Sequence, residues 1–319
     1  MPNKKTAGSV SWIKREKPRR NIFIALFLIP TMLCFCIFYL YPIITVFFTS
    51  FCKWDYTNVT TPELFGLKEL FTNYQYITGT YPYFGEAMRN SLLWAAIGIF
   101  VQIPISLAVA LALARKLRGW KFVRNVYIVP NVISTAAMGM IFLQFYNPRY
   151  GVINPIVQMF NPSFTENLLL LPGVNFVAMT CSYLFFTGST TILILGQIMA
   201  IPHELTEAAT LDGADGFKRD FEIVIPLIKD TLKTVSVLAA TGGFLLYNEV
   251  YFLTKGAAGT RSVSYIIREL AIMSSRTQYA RANTVGVIQI LTGMLIVVGV
   301  NALYSIPFDE LLHKREEMK

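Results

Sequence analysis

Glu204-Leu205-Thr206-Glu207-Ala208-Ala209-Thr210-Leu211-Asp212-Gly213-Ala214, running on to Ile223-Val224-Ile225-Pro226, is a polar, helix-forming stretch between two long apolar segments. Pro202 suits a first helical turn, and Glu204 and Glu207 fall near the positive end of the helix dipole. Gly213 can close that helix in a left-handed conformation that most residues avoid. Asp215 can cap a second helix, which carries Phe217, Phe221 and Val224 along one face until Pro226 stops it. A short helix, a glycine turn and an amphipathic helix form a compact hook. Set between membrane spans, such a hook suits docking on something in the water phase.

The surrounding composition says why the flanks are membrane spans. The chain has 319 residues, 54% of them hydrophobic and 15% charged, with a mean hydropathy of +0.49. A soluble domain carries about 25% charged residues. The apolar residues come in blocks longer than about 18, which points to an all-α, polytopic membrane protein. The formal charge of +9 clusters beside the spans, so it reads as topology and anionic lipid, and nucleic acid is not an expected partner. Cys34, Cys36, Cys52 and Cys181 lie in or beside apolar runs and, with only two histidines in the chain, read as buried thiols and not as metal ligands.

Six spans are expected, at about 22–50, 90–114, 125–146, 174–200, 232–253 and 284–306, with the hook at 202–226. Lys14, Arg15, Lys17, Arg19 and Arg20 precede the first span, in a basic tail over 1–21. The apolar run after them is too long for a signal-peptide core and lacks a small-residue cleavage pattern, so it reads as an uncleaved span. Arg115, Lys116, Arg118, Lys121 and Arg124 mark an inner loop, and His313, Lys314 and Arg315 mark an inner tail at 311–319. Both termini and the hook then lie in the cytoplasm. Lys255, Arg261, Arg268, Arg276 and Arg281 fall in what this topology makes an outer loop. Val263–Ile272 is about half the length of a span, so it is expected as an amphipathic outer helix.

At Glu-Ala-Ala, two residues, Asp-Gly-Ala, eight residues, then Ile-x-Ile-Pro, the hook resembles the EAA loop of ABC importer permeases. Over about 22–310 the chain resembles the sugar-type permeases of the maltose and glycerol-phosphate importers. One departure is Ile225, where the family usually has Leu before the closing proline. The resemblance implies a permease subunit in a prokaryotic inner or plasma membrane, paired as a heterodimer with a second, homologous permease. It also implies two ATPase subunits inside and a solute-binding protein outside that delivers a sugar or oligosaccharide. Glu207 inherits the role of pairing with a base on the ATPase, Ala208 and Ala209 let the helix seat tightly, and Asp212 and Gly213 form the turn.

Matched onto the same family, substrate-path positions fall on Asn131, Thr135, Ser189, Gly242, Gly243, Leu246 and Asn248. The asparagines suit a cavity, because polar groups within apolar spans commonly line one. Small residues also let membrane helices approach, so the two glycines equally suit packing.

No enzyme constellation is present: there is no GxxxxGK[ST] loop to hold ATP, no histidine within a span, and so neither a catalytic nor a metal site. No cofactor is expected on this chain, with ATP and Mg on the partner ATPases. A different class, an ion-coupled secondary carrier, would use Glu249, the lone acid of the fifth span, but would favour inverted repeats that the halves do not show.

Overall fold

The computed structural model describes residues 10–273 and 275–305, with side chains from residue 21 onward. The first nine residues and 306–319, including His313, Lys314 and Arg315, lie outside the described residues. The chain opens with α1 (Asn21–Thr49), apolar on all sides, and no residue of its most apolar stretch is buried inside this chain. A connection follows, with a short hairpin of β1 (Cys52–Lys53) and β2 (Glu63–Leu64), two residues each. It is a small departure from an all-helical chain.

Helix α2 (Phe84–Ala114) begins six residues before the expected second span. It passes Pro104 after a wider, π-type turn over Gly98–Gln102, an adjustment that re-satisfies backbone groups next to a proline.

The expected third, fourth and fifth spans are not single helices. The third divides into α3 (Trp120–Val132) and α4 (Thr135–Phe145), bent by 101°. Pro130 removes a backbone donor just before the break, and Ser134 restarts the chain by accepting from the Ala137 N–H at 3.2 Å. The fourth divides into α5 (Val174–Leu184) and α6 (Gly188–Met199), bent by 42°.

After the hook's helix α7 (His203–Leu211) comes α8 (Lys229–Phe244). The fifth span loses helical form at Leu245–Tyr247 and resumes as a wide turn through Val250–Thr254. The freed Leu245 carbonyl accepts a hydrogen bond from Ser264 Oγ at 3.2 Å. That serine belongs to α9 (Val263–Arg268), which continues as a wide turn to Met273. The expected helix is therefore present, and it is embedded where an amphipathic surface helix was expected. Its Val263, Ile266 and Leu270 cluster with Ile77, Ala87 and Val285. Last comes α10 (Tyr279–Ser305). Alone, α1, α2 and α10 are long and apolar enough to cross a membrane, and counting each bent pair as one span gives up to five.

The interior is built on close helix crossings. A Cβ at Gly98 of α2 would sit 2.5 Å from the Ala239 carbonyl oxygen of α8, and one at Gly243 of α8 would sit 2.3 Å from the Trp94 carbonyl oxygen of α2. The two contacts are reciprocal, and no side chain larger than hydrogen fits at either. Below them Ile103, Ala110, Ile194, Leu232 and Val235 join α2, α6 and α8. Of the cysteines only Cys52 is buried. Cys34, Cys36 and Cys181 face outward, because the apolar surface that holds them covers the outside of the bundle.

Candidate functional site

The hook is built by its own sequence. Pro202 is extended (φ −55°, ψ 135°) and precedes α7, one position outside the helical turn expected for it. At the other end Gly213 adopts φ +81°, with its N–H on the Thr210 carbonyl at 3.1 Å and the Ala214 N–H on the Ala209 carbonyl at 2.9 Å. This pair of bonds is a Schellman closure. It turns Ala209 and Ala214 inward and leaves Glu207, Ala208, Asp212 and Gly213 exposed. Glu207 lies 3.6 Å from His203 Nδ1, an exposed pair of little energetic weight. Leu211 is 89% exposed at the tip.

The second arm differs from expectation. The Asp215 side chain accepts only from the adjacent Gly216 N–H, at 2.6 Å, and caps no further turn, while its carbonyl takes the Lys218 N–H at 3.2 Å. A short helical turn at Phe217–Arg219 widens over Asp220–Val224, and Pro226 sits inside the next turn, Ile225–Leu227, without ending the path into α8. The wider turn divides the expected apolar face. Phe217 and Phe221 point outward, and Val224 is buried.

Between them Asp220 is 3% exposed, with Arg115 Nη2 at 2.7 Å and Arg219 Nη2 at 3.8 Å. The Arg115 guanidinium also lies 5.1 Å from the Phe217 ring centroid. This clamp between the C-terminal end of α2 and the hook escaped the sequence reading, which took Arg115 for a topology signal alone.

The second site is a cleft of about 270 Å³ where the three broken spans converge. Asn131 and Thr135 flank the first break, Tyr183, Phe186 and Ser189 the second, and Gly242, Leu246, Asn248 and Glu249 the third. Non-helical backbone at membrane depth persists where protein buries it or where it lines a cavity, and here it lines one. Six of the seven path residues matched from sequence meet in this cleft. The seventh, Gly243, is turned away and packed on the Trp94 carbonyl, for which the sequence offered packing as its other reading. Gly242 faces open space, its nearest neighbour being the Tyr183 hydroxyl at 3.9 Å from an added Cβ.

Asn248 Nδ2 donates to Thr135 Oγ1 at 2.9 Å, which joins two path residues 113 positions apart. Asn131 Nδ2 is buried with no hydrogen-bond partner among the described residues. Glu249 forms part of the cleft wall, half-buried. Tyr183 and Phe186 were missed, as was Gln102, which accepts from the Tyr183 hydroxyl at 2.7 Å and donates to Thr190 Oγ1 at 3.2 Å. Their signal was an aromatic cluster beside Gly188 in an uncharged segment, which gives no sign of the bend there.

A family model described as binding-protein-dependent transport system inner membrane component matches residues 102–308. The probable ABC transporter permease protein YurN of Bacillus subtilis is 33% identical over 271 residues, covering 81% of this chain and 88% of its own. The multiple sugar-binding transport system permease protein MsmF of Streptococcus mutans is 26% identical, covering 89% and 94%. Among solved structures, a bacterial ABC transporter involved in import of the acidic polysaccharide alginate shares the fold. Its TM-score is 0.75 at 20% identity, over 91% of this chain and 97% of that one.

Proposed function

The chain belongs to the family of binding-protein-dependent transport system inner membrane components, and on that premise we propose that it carries a sugar or oligosaccharide through the central cleft of an ABC importer. It works beside a second, homologous permease in a prokaryotic inner or plasma membrane. Two ATPase subunits, holding ATP and Mg, dock on the hooks from the cytoplasm, and a solute-binding protein delivers the sugar from outside. Six spans are counted by treating each bent pair as one and α8 with its continuation to Thr254 as another, with both termini and the hook inside. Closure of the ATPases draws the hooks together and turns the paired permeases outward, and hydrolysis returns them.

The observation that carries this reading is the form of the hook. It presents Glu207, Ala208 and an exposed Leu211 on a tightly closed turn, while Asp220 and Arg115 tie its base to α2. A surface displayed on so rigid a mount suits the transmission of force. Sugar-transport relatives support the substrate class, and the comparisons do not favour an ion-coupled carrier built on Glu249. The test is ATP hydrolysis by the complex reconstituted with its binding protein. Loaded binding protein should raise the rate severalfold over empty binding protein. Uptake that persists without ATPase subunits and follows a proton gradient would overturn the reading.

A further inference from the structure

The cleft has an uneven inventory of polar groups. Asn131 and Asn248 bring amides, Thr135 and Ser189 bring hydroxyls, and Glu249 brings the only charged side chain of the lining. No lysine or arginine stands in the wall to neutralise it. Arg268 approaches through Tyr247, but its guanidinium is engaged by donating to the Tyr247 and Tyr251 hydroxyls and stacking 4.3 Å from the Tyr251 ring centroid. A carboxylate left half-buried beside polar neighbours has lone pairs to fill, and it repels any anion brought against it.

We propose that Glu249 makes this cleft selective for uncharged, hydroxyl-rich solutes over anionic ones, by accepting hydrogen bonds from sugar hydroxyls. The inference rests on the reading of the cleft as the sugar path. Ionised, a carboxylate accepts at two oxygens with about four lone-pair sites, and hydrogen bonds to it are about twice as strong as neutral ones. The Ser189 and Thr135 hydroxyls of the same lining can donate to a sugar oxygen beside it. Aromatic side chains of Tyr183, Phe186 and Tyr247 provide apolar walls for the ring faces, the usual division of labour in a small-molecule pocket. A uronic acid or sugar phosphate meets like charge within a few ångströms in a medium of reduced dielectric. That costs on the order of a hundredfold in affinity.

The test uses the complete transporter, purified in nanodiscs without added binding protein. Equilibrium dialysis is run against maltotriose, xylotriose, raffinose, trigalacturonate and glucose 6-phosphate. The expected result is measurable binding of at least one neutral sugar and none of the acidic ones. Glu249→Gln should weaken the neutral sugar about tenfold, and Glu249→Lys should abolish it and admit an acidic probe. Both variants are checked for an unchanged thermal midpoint, and wild-type selectivity reads out independently of either. Acidic probes that bind wild type as well as neutral ones, or a selectivity unchanged in Glu249→Lys, would overturn the role of Glu249 and leave the sugar path standing. If no sugar binds and a non-sugar solute does, the sugar path itself falls, and this inference with it.

Discussion

At the scale of single residues, three glycines, Gly213 of the hook and Gly242 and Gly243 of α8, behave differently for reasons visible in the backbone and its neighbours. Gly213 has φ +81° and nothing within 4 Å of a built Cβ, so conformation and not space demands glycine there. Gly213→Val places a β-branched residue in the left-handed region, at a cost of about 1 kcal/mol or more. Gly213→Asn tolerates that region. Uptake and co-purified ATPase, measured together, should be lost in the valine variant and largely kept in the asparagine variant. Glu207→Ala should also lose co-purified ATPase while the permease still inserts, because among the described residues Glu207 holds nothing except an exposed contact to His203. In α8, Gly243→Ala should sharply lower the yield of folded protein, since its methyl would meet the Trp94 carbonyl, while Gly242→Ala, on the cleft, should leave yield unchanged. Size-exclusion chromatography of the two preparations decides it.

At the scale of elements, the clamp between α2 and the hook carries its own expectation. Asp220→Ala leaves Arg115 and Arg219 beside a buried gap. Removing one partner of a buried pair costs about 3–5 kcal/mol, and here less, on the order of 1–3 kcal/mol, since Arg115 keeps some contact with water. The loosened hook should be cut faster by trypsin at Lys218 and Arg219, and exchange of the charges (Asp220→Arg with Arg115→Asp) should restore resistance in part. The hook's helix, turn and glycine were legible because local rules decide them: dipole, helix propensity and positive φ. Its second arm was not, because the wide turn at Asp220–Val224 is set by the burial of Asp220 against a residue 105 positions away. Likewise the convergence of three breaks on one cleft is a tertiary fact, and the spans were expected unbroken. The path residues were reachable only through resemblance, and Gly243 shows its limit, because adjacent positions on a helix point about 100° apart and meet different neighbours.

At the scale of the whole molecule, the arrangement predicts which surfaces meet water on each side. Single cysteines at Thr60 and Asn161 should react with an impermeant reagent in intact cells, and those at Arg118 and Thr210 should react only after permeabilisation. The background requires replacement of Cys34, Cys36 and Cys181 above all, since these face outward. Labelling of Thr210 from outside would place the hook where no ATPase reaches it. Apolar exposure around α1 also belongs to this scale: a helix with none of its most apolar stretch buried in its own chain is covered by lipid or by a neighbour.

The attachment of α1 has a consequence for the order of synthesis. Its Thr49 hydroxyl accepts from Asn283 Nδ2 at 2.7 Å, and the Thr284 hydroxyl donates to the Ser50 carbonyl at 3.3 Å, each across 234 positions. A ribosome delivers α1 to the bilayer early and α10 late. Until α10 arrives, the hydroxyl of Thr49 lacks its Asn283 partner, and the carbonyl of Ser50 has Asn73 Nδ2 of the following loop, at 2.9 Å, to hold it. The first helix to enter the membrane is among the last to be fastened.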